Sequence, residues 1–391
     1  MVSKDSHSNS KKTLYAIGLN FLSINAILQI YQSLIPLIMQ RDFQVSELKI
    51  GVVTGVVNFV VCIMLVTFNK MKPRIEVLVL SSIILSVSLT ITPVFIHYKK
   101  LVVFVGLFYV GMLALSLAKV LSNNFTLQVA PEGKENGAMA LTKIMSTLGG
   151  LVALLIMYFL SDNSVFYAMG FFNVAIIILL VYFRKNIHEK KDNSGKTIKQ
   201  ETDKTEIWKR VVILFVILLS YTVYDSLLST FSRYATNVWK MEDNGFALYQ
   251  SLCLVAAFIA YIPIGKCSNK DNQKKMTIIG LLLMAIGMFG MNYLESFHYV
   301  NVLLLALIGV GWAAIAVNVV PILVNGARPK EVSRLVGYYS VMSNISLIMA
   351  PAISGVILEY LSYQVLYYFL VGLLLVASVI LIFYKDQGGA S

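Results

Sequence analysis

The chain has 391 residues, of which 58% are hydrophobic and only 13% charged, with a mean hydropathy of +0.75. That apolar excess is too large to hide inside a globule whose surface meets water, which excludes an ordinary soluble domain and makes a lipid bilayer the natural solvent. The net charge of +12 is strung between apolar blocks and forms no basic face, so it excludes nucleic acid as the partner.

In chain order, residues 1–12 form a polar tail that feeds into the first apolar block with no signal-peptide cleavage site. Blocks of bilayer length then predict twelve transmembrane helices near 14–40, 46–68, 75–97, 101–129, 138–161, 165–184, 210–238, 244–265, 276–294, 300–325, 332–358 and 363–384. Several exceed 25 residues, which implies tilt or extension beyond the hydrocarbon. No alternating ten-residue pattern is present, so a β-barrel is excluded. The polar stretch after the sixth block reads as a cytoplasmic tether. The expected organisation is therefore a tail (1–12), a six-helix bundle (13–184), a linker (185–209), a second six-helix bundle (210–385) and a short tail (386–391).

Orientation follows from the basic residues. Of 32 lysines and arginines, 25 fall on the side that holds both termini. Six (Arg41, Lys49, Lys99, Lys100, Arg233 and Lys240) fall on the other side, and Lys119 lies within a span. That bias predicts cytoplasmic termini in a cell membrane.

Polar side chains inside the spans are few and grouped. Span one carries Asn25, Gln29 and Gln32 on one helical face. Span four carries Ser116, Lys119, Asn123 and Asn124, and span seven carries Tyr221, Asp225, Ser229 and Ser232. Span ten adds Trp312 and Asn318. Spans three, six, nine and twelve are dominated by Ile, Leu, Val, Met and Phe, although span three holds several serines. An unpartnered polar group in hydrocarbon costs several kcal/mol, so these faces should look into the bundle or into water. Helix-to-helix hydrogen bonding is the alternative use of the same residues. Asp225 and Lys119 lie deep within their spans, where charge marks a pathway or a proton carrier, with a fixed salt bridge or a snorkelling lysine as the alternative. Arg233, two turns beyond Asp225, reads as a rim or gate charge.

Cys62, Cys253 and Cys267 give neither a disulfide framework nor a zinc pattern. His7, His97, His188 and His298 form no metal or catalytic cluster. No Walker loop occurs, so energy is expected from an ion or solute gradient. The only deep titratable groups are isolated, so no cofactor and no enzymatic activity are expected.

Asn69-Lys70 after span two and Asn269-Lys270 after span eight stand 200 residues apart, each at the exit of the second helix of a half. The matched placement indicates a six-plus-six duplication. With this loop the sequence resembles the major facilitator superfamily, whose pattern there is Gly-x-x-x-Asp-Arg-x-Gly-Arg-Lys. Here the acid is Asn69 or Asn269 and the arginine is Lys70 or Lys270. Arg74 closes the first copy, and Gly265 opens the second. The resemblance implies a latch between helix ends that has lost both carboxylates. Gly149-Gly150 in span five is similar to a motif common in antiporters of that family, without its usual proline.

The stretch Phe231 to Val238, Ile262-Pro263-x-Gly265, Gly309-Val-Gly311-Trp312-Ala313, Asn318, Pro321, Gly337-Tyr338-Tyr339, Pro351 and Gly355 further resemble bacterial members near the sucrose-transporter branch. The resemblance implies an all-α fold of two pseudo-symmetric six-helix bundles. It also implies a cavity lined by the first helix of each three-helix unit and alternating access. The first expectation is a secondary transporter coupled to protons or sodium, acting as a monomer on a sugar or glycoside. Export or flipping of amphipathic drugs, peptides or lipids is the alternative, and a non-transporting sensor or scaffold is the alternative of another class. Asn25, Gln29, Gln32, Lys119, Asn123, Tyr221, Asp225, Trp312 and Asn318 are the expected cavity residues. Asp225 and Lys119 are the coupling candidates.

Overall fold

The computed structural model describes residues 2–68, 74–129, 135–183, 204–242, 245–269, 271–294, 296–327 and 329–384. Asn69, Lys70 and Lys270, most of the expected linker and the tail at 386–391 lie outside them. The described residues form twelve helices and no strand. These are α1 (Val2–Arg41), α2 (Glu47–Phe68), α3 (Ile75–His97), α4 (Leu101–Val129), α5 (Glu135–Phe159), α6 (Asp162–Phe183), α7 (Lys204–Asn237), α8 (Gly245–Cys267), α9 (Gln273–Tyr293), α10 (Val300–Val324), α11 (Pro329–Tyr360) and α12 (Tyr363–Phe383).

The helices stand where the apolar blocks predict them. Eleven are long and apolar enough to cross a membrane. In α5 the described apolar stretch is Ile144–Phe159. The polar tail expected at 1–12 continues α1 back to Val2, in a stretch without proline or glycine to stop it.

The chain divides into two compact units. The first comprises Met1–Gln44 with Phe59–Lys196, and the second Val45–Asn58 with Thr197–Ser391. Within the first, α1 packs on α4, α5 and α6, and α3 packs on α4 and α6. Within the second, α7 packs on α10, α11 and α12, and α9 packs on α10 and α12. The two sets correspond helix for helix when six is added to each number, as a duplication requires. The central helices α1 and α7 are the most buried spans. Large apolar side chains such as Phe171, Ile178, Ile259, Leu375 and Phe383 face outward, as side chains bathed in hydrocarbon do.

Small residues let backbones meet. A Cβ on Gly149 of α5 would overlap the carbonyl oxygen of Leu22 on α1. One on Gly309 of α10 would overlap that of Cys253 on α8. Gly149 therefore serves helix packing. In the second unit the start of α2 lies against α11. A Cβ on Gly51 would stand 2.9 Å from the Cα of Gly355, Asn58 Nδ2 donates to the Leu347 carbonyl (2.7 Å), and the Leu48 N–H donates to Glu359 (3.0 Å).

Several polar groups in the first unit join helices. Asn173 of α6, an isolated amide in an apolar span, accepts from Ser23 of α1 (3.0 Å). It donates to Ser86 Oγ (2.8 Å) and the Ser82 carbonyl (2.9 Å) of α3. Asn20 donates to Ser122 of α4 at 2.6 Å. Each such bond satisfies groups that lipid cannot.

Candidate substrate site

The chemistry on the second unit gathers where α7, α10 and α11 meet. Tyr221, Tyr224 and Asp225 fall within little more than one turn of α7, so their side chains emerge close together. Tyr224 lies flat on Trp312 of α10, with ring centroids 3.8 Å apart and planes 2° from parallel. Tyr221 meets Trp312 edge-on (4.7 Å, 66°) and meets Tyr339 of α11 in the same way (5.8 Å, 88°). The hydroxyls of Tyr221 and Tyr339 stand 2.6 Å apart and share a hydrogen bond. Ser346 of α11 donates to Asp225 Oδ2 at 2.6 Å. Trp312 is backed by a small-residue bed, Ala257, Ala260 and Ile264 of α8 with Ala313 and Ala314 of α10. Tyr221 and Tyr224 are buried, whereas Asp225, Trp312 and Tyr339 remain partly exposed. The result is a fixed aromatic shelf with a carboxylate at its edge. Of its groups, Asp225, Trp312 and Tyr339 keep exposed surface that a solute could meet.

Asn318 sits elsewhere in the packing. It is fully buried, and its amide nitrogen donates back to the Ala314 carbonyl (2.8 Å). In the first unit, Asn25 donates to Ser146 of α5 (3.0 Å) and to the Phe21 carbonyl (2.9 Å), and Gln29 donates to Ser33 (2.8 Å). Two of the three amides on the α1 face thus serve bonds within their own unit, while Gln32 is partly exposed, as are Lys119 and Asn123 on α4.

Arg233 is not a rim residue. It is 3% exposed, pairs through Nη1 with Glu47 at the start of α2, and donates through Nη2 to the Ser229 carbonyl (3.2 Å). The other oxygen of Glu47 accepts from the Tyr363 hydroxyl of α12 at 2.9 Å. The sequence conceals this cluster because Glu47 and Arg233 stand 186 positions apart, and an acid at a helix start reads as a simple cap.

In the expected latch, Arg74 is the exposed residue preceding α3, and Gly265 is exposed with open space around it. Asn269 accepts from the N–H groups of Asp271 (3.2 Å) and Asn272 (3.1 Å). Asn272 returns a bond to the Asn269 N–H (2.8 Å) and donates to the Cys267 carbonyl (2.8 Å). The amide at this position thus builds the turn from α8 to α9.

The family profile described as Major Facilitator Superfamily matches residues 16–315 and again 213–390. The chain belongs to the major facilitator superfamily. Membership and the helical architecture make it a multi-pass secondary transporter of a small molecule, set in a lipid bilayer. Among solved structures with this fold, the nucleoside transporter NupG superposes with a TM-score of 0.71 at 13% identity, covering 97% of this chain and 100% of that one. The POT family transporter PepTSo gives 0.73 at 12% identity, covering 96% and 97%. A bacterial homologue of the iron transporter ferroportin gives 0.72 at 14% identity, covering 97% and 99%. In sequence, the chain is 24% identical over 232 residues to the multi-drug resistance efflux pump PmrA homolog of Lactococcus lactis. That match spans 57% of this chain and 55% of the relative.

Proposed function

We propose that this superfamily member exports amphipathic organic solutes across the cell membrane of a bacterium by alternating access, driven by the proton gradient. The observation that carries the reading is the Tyr224–Trp312 stack beside Asp225. Such a shelf grips rings and apolar surface, and its carboxylate sits where it can trade a proton for solute. The name of the Lactococcus relative points the same way. Asp225 is the proton carrier in this scheme, with Lys119 the second coupling group. Gln32 and Asn123 are the remaining polar candidates for solute contact. Both termini are cytoplasmic, and Arg74, Gly265 and Asn269 belong to the inner gating loops.

A sugar or glycoside is the second reading. It is favoured by the motifs that resemble the sucrose-transporter branch and by the partly exposed amides Gln32 and Asn123.

Ethidium in proteoliposomes tests the proposal. A proton gradient should drive uphill ethidium accumulation through the unaltered protein. Asp225→Asn should abolish that accumulation while ethidium exchange at saturating concentration persists. Full accumulation in this variant would remove Asp225 from the coupling step.

A further inference from the structure

We infer that the first unit holds an anionic phospholipid, with one acyl chain in a recess between α2, α3 and α4 and the head group at Arg74. The recess encloses about 230 Å³. Its walls include Met64 of α2, Val77, Leu80 and Ile84 of α3, and Val110 and Leu117 of α4. The cause of the recess is local. Ser81 of α3 and Ala114 of α4 are its buried floor. The register that brings Ser88 onto the Leu107 carbonyl (2.7 Å) sets these two small residues opposite each other. Two short side chains face to face leave room that their larger neighbours do not fill. Leu80, Ile84 and Val110 at the rim are exposed, so the recess opens sideways to lipid.

The lining decides what the tail of the occupant must be. Nine residues line the recess, and Ser81 is the one polar residue among them. Its hydroxyl is spent on the Leu78 carbonyl of its own helix (2.8 Å). Water finds no partner there, whereas a hydrocarbon chain recovers the contacts that a void forfeits. Along α3 the lining runs from Val77 to Ile84, about 10 Å of helix and roughly a third of the hydrocarbon thickness. That length stays within one leaflet, the one where α2 ends and α3 begins. In the orientation proposed above, this is the cytoplasmic leaflet.

Charge decides the head group. Arg74 heads the same stripe of α3, three residues before Val77, and its carbonyl accepts the Leu78 N–H (3.2 Å). Arg74 is exposed, and among the described residues no carboxylate pairs with it. Glu76 lies two positions on and therefore faces another side of the helix. A guanidinium meets a phosphodiester through paired N–H donors. A basic residue at the mouth of an interhelical recess, on the cytoplasmic side, suits an acidic lipid.

Native mass spectrometry of the purified full chain, with phosphatidylglycerol or phosphatidylcholine of identical acyl chains, tests the inference. One phosphatidylglycerol should be retained saturably, about ten-fold more tightly than phosphatidylcholine. Glycerol 3-phosphate, which carries the charge without the chains, should not displace it. Arg74→Gln should bring the two lipids to equal, weak retention, and Arg74→Lys should keep part of the preference. Ala114→Phe, which fills the floor, should weaken both lipids by about ten-fold. Should that variant fail to elute like the unaltered protein, Ser81→Leu fills the recess from the facing helix and must act alike. Equal retention of the two lipids by the unaltered protein, or full retention with the recess filled, would overturn the inference. Self-association that Ala114→Phe abolishes would overturn it too, by assigning the recess to a second copy of the chain.

Discussion

Replacing Gly309 with alanine should remove a large share of the protein's folded stability, although the change adds a single methyl group. The new Cβ would overlap the Cys253 carbonyl oxygen and stand 3.0 Å from the carbonyl carbon and 3.1 Å from the Ala257 nitrogen. All three atoms are α8 backbone, so no rotamer change relieves the clash and the helices must part. Parting them opens the bed formed by Ala257, Ala260, Ile264, Ala313 and Ala314, and with it the support of Trp312. Overpacking that side chains can absorb costs about 1–3 kcal/mol, and a clash with rigid backbone should reach or pass the top of that range. Gly372→Ala on α12, where nothing lies within 4 Å, is the matched control. It should be neutral or slightly stabilising, because alanine favours helix. Thermal unfolding in detergent checks both, and equal midpoints for the two variants would contradict the packing described.

The second large effect is expected at Arg233 and Glu47. Their side chains are 4% and 12% exposed, and the guanidinium's Nε finds no hydrogen-bond acceptor among the described residues. Removing one partner strands the other charge in a medium of low dielectric, at a cost of about 3–5 kcal/mol. Arg233→Met and Glu47→Leu should each therefore be strongly destabilising. Glu47→Leu also deprives the Tyr363 hydroxyl of its acceptor. Removing both charges together should restore much of the loss, because replacing a buried pair with apolar groups of similar volume is close to neutral. The four proteins form a double-mutant cycle read by thermal unfolding. Additive losses, with no recovery in the double variant, would mean that the pair does not act as one unit.

These effects show which parts of the molecule were legible in its sequence. Helix existence was legible, since an apolar run of bilayer length admits few other structures. The two-fold organisation was legible in the Asn69 and Asn269 loops and returns in the matching helix contacts of the two units. The importance of α7 was signalled by Asp225, a charge too costly to leave in lipid. The use of each polar group was not legible. Asn25 and Gln29 share a helical face with Gln32, yet their bonds to Ser146 and Ser33 are made inside the first unit. Asn173, a single amide in an otherwise apolar span, ties three helices together. Helical periodicity fixes the face a residue occupies, whereas its partner depends on which helix is packed there. For the same reason no local pattern showed that Glu47 would answer Arg233, or that the first half of α2 would join the second unit.

The most direct measurement of the central claim is the fluorescence of Trp312 alone. The chain has three tryptophans, and Trp208 and Trp239 can be replaced by phenylalanine to leave Trp312 as the sole reporter. If the transported solute rests on the shelf of Tyr224 and Trp312, ethidium should quench this emission saturably, at the same concentrations that saturate its transport. Transport of ethidium that leaves the emission of Trp312 unchanged would place the solute elsewhere and contradict the account.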